Sequence, residues 1–370
     1  MKTQLMFWAL LGAALLGAAL LGTSAQAAVN YTVTNLGNVA GGWDGSLTRP
    51  WGINNAGQVV GQSRSSNSHT RAFLWDPVNG IQDLGFPSGG SDSWAYGIND
   101  RGQITGYWWT EPGATYCRAF LWENGVWTQL GTLGGPHSYA FAVNGLGHVV
   151  GYSYWSEAPS THAFLYDGTA MTDLGTIGGT NSAAFGINDA GQVVGYSQAA
   201  DGQNHAVLWS GGPVDLGLGT AMAINDKGQV VGCRPGSDGE RAFLWDSTNG
   251  TVDLGTLPGG NGVSYANAIN AGGLVVGNAG GTGDPSVPAS GLHAVLWTEP
   301  GQIVDLNDVV SPGFDWFLQE ATGINDAGQI IAYGKRQGWA DQAFLLTPVP
   351  EPATLSLLAV GGLLALRRRG

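Results

Sequence analysis

Residues 162–197 read HAFLYDGTAMTDLGTIGGTNSAAFGINDAGQVVGYS, and three short phrases in that stretch decide the fold. The first is Ile187-Asn188 followed by a Gly191 turn and the apolar run ending in Gly195. Copies of this phrase begin at Ile53, Ile98, Val143, Ile187, Ile224, Ile269 and Ile324, so the intervals are 45, 45, 44, 37, 45 and 55 residues. The last copy departs from the rule, with Ala332 and Tyr333 where Val and Gly are expected. The second phrase, Ala-Phe-Leu-Trp and its variants, recurs at Ala72, Ala119, Ala163, Ala206, Ala242, Ala294 and Ala343. The third, Asp-Leu-Gly, stands at Asp83, Asp173, Asp215 and Asp253, with variants at Asn35, Gln129 and Asp305. A fixed period near 45 residues marks a propeller, a solenoid or an array of repeats.

Each period reads as four strands. In one unit the first runs over residues 95–99, the Asn99-Asp100-Arg101-Gly102 turn leads into a second at 103–107, Ala119 to Trp122 form a third, and Gln129-Leu130-Gly131 end a fourth. Asn and Asp tolerate the bridge and left-handed conformations of such a turn, and glycine supplies its positive φ. Ala-Phe-Leu-Trp is apolar at every position, so both faces of that strand need cover, which a sheet between two like sheets provides. The expectation is an all-β, seven-bladed β-propeller of four-stranded blades.

The mature chain starts with one lone strand at residues 31–36 that carries the fourth-strand phrase Asn35-Leu36-Gly37. It ends just after Ala343-Phe344-Leu345-Leu346, a third strand with no fourth to follow. A ring closes if the N-terminal strand completes the last blade. An open solenoid would need caps at both ends, and stacked sheets remain the other rival.

The ends carry addresses. Lys2, an apolar stretch over residues 5–21 and the small-x-small pattern Ala25-Gln26-Ala27 make a signal peptide of residues 1–27, with a retained transmembrane helix as the alternative. At the other end Pro350-Glu351-Pro352 precedes an apolar run of 14 residues, 353–366, and then Arg367, Arg368 and Arg369. The arginines set an orientation with the basic end in the cytoplasm. As a helix the run reaches only about 21 Å, short of the roughly 30 Å hydrocarbon core.

The string VPEPATLSLLAVGGLLALRRRG resembles the PEP-CTERM sorting signal of Gram-negative bacterial envelope proteins, in motif, apolar helix and basic cluster, in that order. The resemblance covers residues 348–370. It implies signal peptidase and an exosortase-type membrane enzyme as processing partners, transient anchoring in the inner membrane, and release to the cell surface or matrix. Such proteins accompany exopolysaccharide production. The repeat itself resembles the HAF repeat of bacterial extracellular proteins over nearly all of residues 28–347, which implies an extracellular location and no residue-level activity.

Composition narrows the functions. Charged residues make up only 11%, glycine numbers 62, and the formal net charge is −13. Nucleic acid would ask for a basic face, and none is visible. Cys117 and Cys233 fall in distant units, so no disulfide is expected, and nothing has the spacing of a metal or cofactor site.

The non-repeat aromatic residues are the first site candidates. Trp108, Trp109 and Trp155, with Tyr107 and Tyr154, follow second strands in polar loops, where tryptophan can face a sugar ring. Trp43, Trp94, Trp127, Trp316 and Trp339 are weaker members of that class, whereas Trp75, Trp122, Trp209, Trp245 and Trp297 end third strands and read as core. The position before Ala-Phe-Leu-Trp is Arg71, Arg118, His162, His205, Arg241, His293 and Gln342: either a ring for an anion near the channel, or side chains bonded to the Asp-Leu-Gly carboxylate of their own blades. Turn acids Asp100, Asp189, Asp226 and Asp326 offer too few oxygens for calcium and read as turn residues. No nucleophile elbow or zinc-protease helix occurs. Glu111, Glu157, Asp315 and Glu320 are the acids outside the repeat that a hydrolase would use.

These observations favour an exported, non-enzymatic propeller that binds extracellular polysaccharide. A propeller-fold polysaccharide hydrolase or lyase is the second reading, and a structural matrix protein without a specific ligand the third.

Overall fold

A computed structural model of the chain describes residues 30–39, 47–65, 69–110, 116–155, 160–281 and 291–350. The signal-peptide residues Ala25 and Ala27, the tail residues Glu351, Pro352 and Arg367 to Arg369, and Trp43, Glu111 and Glu157 lie outside the described residues. Among the described residues no helix is long and apolar enough to cross a membrane.

Residues Tyr31–Pro348 form seven four-stranded antiparallel sheets. Each repeat supplies strands in the order inner, second, third, outer. Blade two is typical, with Ser93–Ile98 innermost, then Ile104–Trp109, Cys117–Glu123 and Val126–Gln129. The inner strands touch one another around the ring, and the last, Phe317–Ile324, meets the first, Thr48–Ile53. Blade seven takes its outer strand from the other end of the chain. Tyr31–Asn35 pairs antiparallel with Gln342–Pro348, Tyr31 opposite Pro348 and Asn35 opposite Phe344. Leu36 N then donates to Ala343 O at 3.0 Å, as Leu130 N does to Ala119 O and Leu254 N to Ala242 O. The lone first strand therefore does the work of the fourth-strand phrase in the blade that lacks one.

The third-strand phrase is core. Ala72, Phe73 and Trp75 are buried, and Phe120, Phe164 and Phe344 repeat the pattern between neighbouring sheets. In three blades a serine of the inner strand ties the blade to the one before it. Ser93 Oγ accepts from Ala72 N at 3.0 Å and donates to Gly85 O at 2.7 Å. Ser138 does the same with Ala119 and Gly131, and Ser182 with Ala163 and Gly175. The alanine and the glycine of the second and third phrases are thus linked through one buried hydroxyl of the following repeat.

The asparagine of Ile-Asn has two tasks. Its Oδ1 holds its own turn, as Asn99 Oδ1 accepts from Arg101 N and Gln103 N, each at 3.0 Å. Its Nδ2 crosses to the next blade and donates to the backbone carbonyl of the equivalent asparagine. The series Asn54 to Asn99, Asn144, Asn188, Asn225, Asn270, Asn325 and back to Asn54 is complete, every bond between 2.9 and 3.1 Å. At a net ~0.5–1.5 kcal/mol per bond, this circle stabilises the closed ring specifically, because an open array would leave one bond unmade.

The glycine that ends the first phrase is required by a close approach. A Cβ on Gly106 would stand 1.9 Å from Trp94 O, and on Gly151 1.8 Å from Tyr139 O. In blade seven the register sets Ala332 opposite Phe344, just as Gly61 faces Phe73. The departure is therefore alanine for that glycine, with Tyr333 one place beyond it, and not a Val-Gly replacement. The chain accommodates the extra methyl with a second register shift in the inner strand, between Leu318 and Glu320, which the other inner strands lack at this point.

Cys117 and Cys233 belong to blades two and five and are both free thiols.

Candidate functional site

Every inner strand carries a β-bulge two residues before its final Ile or Val. The register shifts fall between Pro50 and Gly52, Ala95 and Gly97, Ala140 and Ala142, Ala184 and Gly186, Ala221 and Ala223, Ala266 and Ala268, and Ala321 and Gly323. The bulged residues are Trp51, Tyr96, Phe141, Phe185, Met222, Asn267 and Thr322. A bulge re-aims a side chain, and here small neighbours on either side leave it room. With Glu320, these seven residues line a cavity of about 240 Å³ in the centre of the ring.

The wall is lopsided. Blades one to four contribute a continuous aromatic arc, with ring centroids 5.6 Å apart for Trp51 and Tyr96, 5.2 Å for Tyr96 and Phe141, and 5.4 Å for Phe141 and Phe185. Blades six and seven contribute Asn267, Thr322 and Glu320. Asn267 Nδ2 donates to Glu320 Oε1 at 2.9 Å, and Tyr333 Oη donates to Oε2 at 2.6 Å. Burial, reinforced by that carboxylate, pushes the Tyr333 phenol well above its ordinary range, so it stays a donor. The arrangement offers aromatic rings on one side and fixed hydrogen-bonding groups on the other.

A second cavity, of about 400 Å³, lies where the inner strands turn, lined by the Asn circle and the residue after each asparagine. The turn acids sit here, and their own turns do not explain them. Asp100 Oδ1 accepts from Asn55 N, Asp189 Oδ1 from Gly145 N, Asp226 Oδ1 from Asp189 N and Asp326 Oδ1 from Ala271 N. They bridge blades, and Asn55 Oδ1 completes the relay by accepting from Asp326 N. Gly145 and Ala271 bring no acceptor and interrupt it. Among the described residues no three His, Cys, Asp or Glu side chains are grouped to hold a metal ion.

The loop aromatics do not converge. Tyr107, Trp108 and Trp109 belong to the strand Ile104–Trp109, and Tyr154 and Trp155 to the strand Val149–Trp155, rather than to loops after them. Trp108 is 5% exposed and packs on Phe120 and Trp127, so it is core. Tyr107 stacks on Trp94 and Tyr96 and meets Tyr139 edge-on at 4.8 Å, forming a second layer behind the arc. Tyr154 packs on His137 at 4.8 Å. Trp155 is 42% exposed and stacks on His162 at 4.9 Å, whereas Tyr107, Trp109 and Tyr154 are half-buried. Trp127 packs on Phe120, and Trp316 on Trp339 and Phe344, so both have structural partners.

The basic positions before Ala-Phe-Leu-Trp lie on third strands, with two strands between them and the channel, and they form no ring around it. The carboxylate reading holds for four of them. His162, His205 and His293 place Nδ1 at 2.9, 2.9 and 2.5 Å from Asp173, Asp215 and Asp305, and Arg241 Nε lies 3.8 Å from Asp253. Arg71 instead lies over the Phe86 ring at 4.2 Å, and Arg118 donates to the carbonyls of Cys117 and Pro136. Of the acids outside the repeat, Asp315 pairs with Arg336 at the surface and Glu320 reaches the central cavity.

Sequence reading missed the arc itself. Its signal was present before each Ile-Asn or Val-Asn, where one position ranges over Trp, Tyr, Phe, Met, Asn and Thr between flanking positions held to Ala, Gly or Pro.

No family model matches the chain, and no curated protein is similar to it. Among solved structures, the β-propeller domain of the Trilobed protease from Pyrococcus furiosus, described as having an open velcro topology, aligns with a TM-score of 0.54 at 8% identity, over 81% of this chain and 93% of that one. The Aleuria aurantia lectin aligns with a TM-score of 0.37 at 12% identity, over 85% and 99%. The likeness to the protease domain, at 8% identity, shows the propeller fold and nothing narrower.

Proposed function

We propose that this chain is an exported propeller of the cell surface or extracellular matrix that binds polysaccharide in its central aromatic cavity and does no chemistry on it. The cavity carries the reading. Trp51, Tyr96, Phe141 and Phe185 give faces for the apolar side of a sugar ring, while Asn267, Thr322 and Glu320 meet its hydroxyl edge. Removal of residues 1–27, and recognition of residues 348–370 by an exosortase-type enzyme, follow from the sequence signals at the two ends. They would deliver the ring to the compartment where exopolysaccharide is found.

The test is co-sedimentation of residues 28–347 with the producer's exopolysaccharide. Retention of the native ring, lost in Trp51→Ala/Phe141→Ala, is the expected result. Retention unchanged in that variant would place the ligand elsewhere. New reducing ends or unsaturated sugars in the same incubation would instead favour the hydrolase or lyase reading, with Glu320 as its acid.

A further inference from the structure

Among the described residues Glu320 is the one charged side chain lining the central cavity, and none of its equivalents in the other six blades lines it. The equivalent residues, Arg49, Trp94, Tyr139, Ala183, Thr220 and Tyr265, pair across to the residue after the close-approach glycine, as Glu320 pairs with Tyr333. Only here is that glycine an alanine, Ala332, and only here does the inner strand carry an extra residue, Gln319, just before this position. The irregularity that admits the Ala332 methyl also sets the carboxylate.

Glu320 makes its contacts without a direct cation. Its two oxygens take hydrogen bonds from the neutral donors Asn267 and Tyr333, and among the described residues it has no ion pair. Arg49, on the neighbouring blade one, is bound to another acid. Arg49 lies over the Tyr333 ring at 4.7 Å, but its guanidinium is bound to Asp341, with Nε 2.7 Å from Oδ2, and Lys335 adds a second cation to the same acid at 3.7 Å. On the adjoining second strand of blade six, Asn278 is 5% exposed and its Oδ1 has no hydrogen-bond partner. That strand packs against the inner strand that carries Glu320. A half-buried carboxylate with no direct ion pair, an unpaired buried acceptor on the strand packed against it and aromatic rings lining the same cavity share one complement, a cation that is also a hydrogen-bond donor.

We infer that the cavity selects sugars bearing a free, protonated amino group and rejects uronates. The inference rests on the cavity being the saccharide site. An amino group replaces one ring hydroxyl, so the apolar face stays free to stack on the arc while the ammonium meets Glu320. A uronate would bring a second carboxylate against the first.

Isothermal titration of residues 28–347 with three probes tests this: glucosamine oligomers, their neutral N-acetylated counterparts, and glucuronate oligomers. Glucosamine oligomers should bind tightest and glucuronate oligomers weakest, with at least about a tenfold step between the extremes, equivalent to about 1.4 kcal/mol. Glu320→Gln should abolish the preference for glucosamine oligomers over their N-acetylated counterparts. Glucuronate binding as tight as glucosamine, or a preference unchanged in Glu320→Gln, would overturn the inference and leave the cavity as the site. Failure of all three probes, or binding indifferent to Trp51→Ala/Phe141→Ala, would overturn the reading of the cavity itself. Circular dichroism of each variant separates loss of contact from loss of fold.

Discussion

Asn325 Nδ2 donates to the carbonyl of Asn54 at 3.1 Å across 271 residues of chain, and this bond joins the last repeat to the first. Asn325 Oδ1 also accepts from Gln329 N, so one side chain holds both its own turn and the ring closure. Asn325→Ala should therefore lower stability by about 1–3 kcal/mol, the range for leaving buried backbone groups unpaired. Asn188→Ala, which breaks a bond between adjacent repeats, should cost a similar amount, because in a closed ring no position is terminal. Denaturant midpoints of the two variants, read by tryptophan emission, make the comparison. A negligible effect of Asn325→Ala beside a large one for Asn188→Ala would indicate that the ends are not joined.

Backbone contact makes the glycine of the first phrase obligatory in six blades. A Cβ at Gly106 would lie 1.9 Å from Trp94 O, and backbone cannot rotate away as a side chain can. Gly106→Ala should cost about 3 kcal/mol or more, at the upper end of overpacking effects. Ala332→Gly should cost far less, under about 1 kcal/mol in stability, the order of the glycine entropy penalty. Thermal melts of the two variants test the pair.

Trp108 and Trp155 should separate structure from surface. Trp108 is 5% exposed in the core of blade two, so Trp108→Ala should lose about 3–5 kcal/mol, the range for emptying an aromatic site. Any loss of ligand binding in that variant would report unfolding. Trp155→Ala removes an exposed ring and should leave both the melting temperature and polysaccharide retention nearly unchanged. Loss of retention with the fold intact in Trp155→Ala would move the binding site to the exposed end of the strand Val149–Trp155.

Most of what fixes the fold could be read from the residues alone, because repetition makes each phrase its own control. The blade number, the four-strand unit and the completion of blade seven by residues 31–36 all follow from phase. Two things escaped the reading for physical reasons. The bulge that turns Trp51, Tyr96, Phe141 and Phe185 into the channel breaks the two-residue alternation by which a strand's faces are assigned, so these rings could not be placed without the register. The bonds of Asp100, Asp189, Asp226 and Asp326 run between repeats, and a local reading of the turn sees only its own residues. Trp108 was misplaced because the strand extends two residues beyond Tyr107.

The tyrosines make the pH behaviour legible. Burial raises eight of them above the ordinary value: Tyr31, pushed up to about 12, and Tyr96, Tyr107, Tyr139, Tyr152, Tyr196, Tyr265 and Tyr333. A raised folded-state value means the native ring holds its proton more tightly than the unfolded chain. That stability is fully present below pH 10, and the Tyr31 part is lost as pH rises from 10 to about 12. Phenolate absorbance should therefore lag behind that of free tyrosine and rise steeply with the loss of near-ultraviolet dichroism. A smooth titration centred at pH 10 with the fold intact would contradict the burial of these rings.

The most direct measurement is a crystal structure of residues 28–347 with a bound glucosamine oligomer. Sugar density is expected in the central cavity, one ring face against the Trp51–Phe185 arc and its amino group within hydrogen-bonding distance of Glu320. Density seated instead against Trp155 and His162, with the channel empty, would contradict the assignment of the cavity as the binding site.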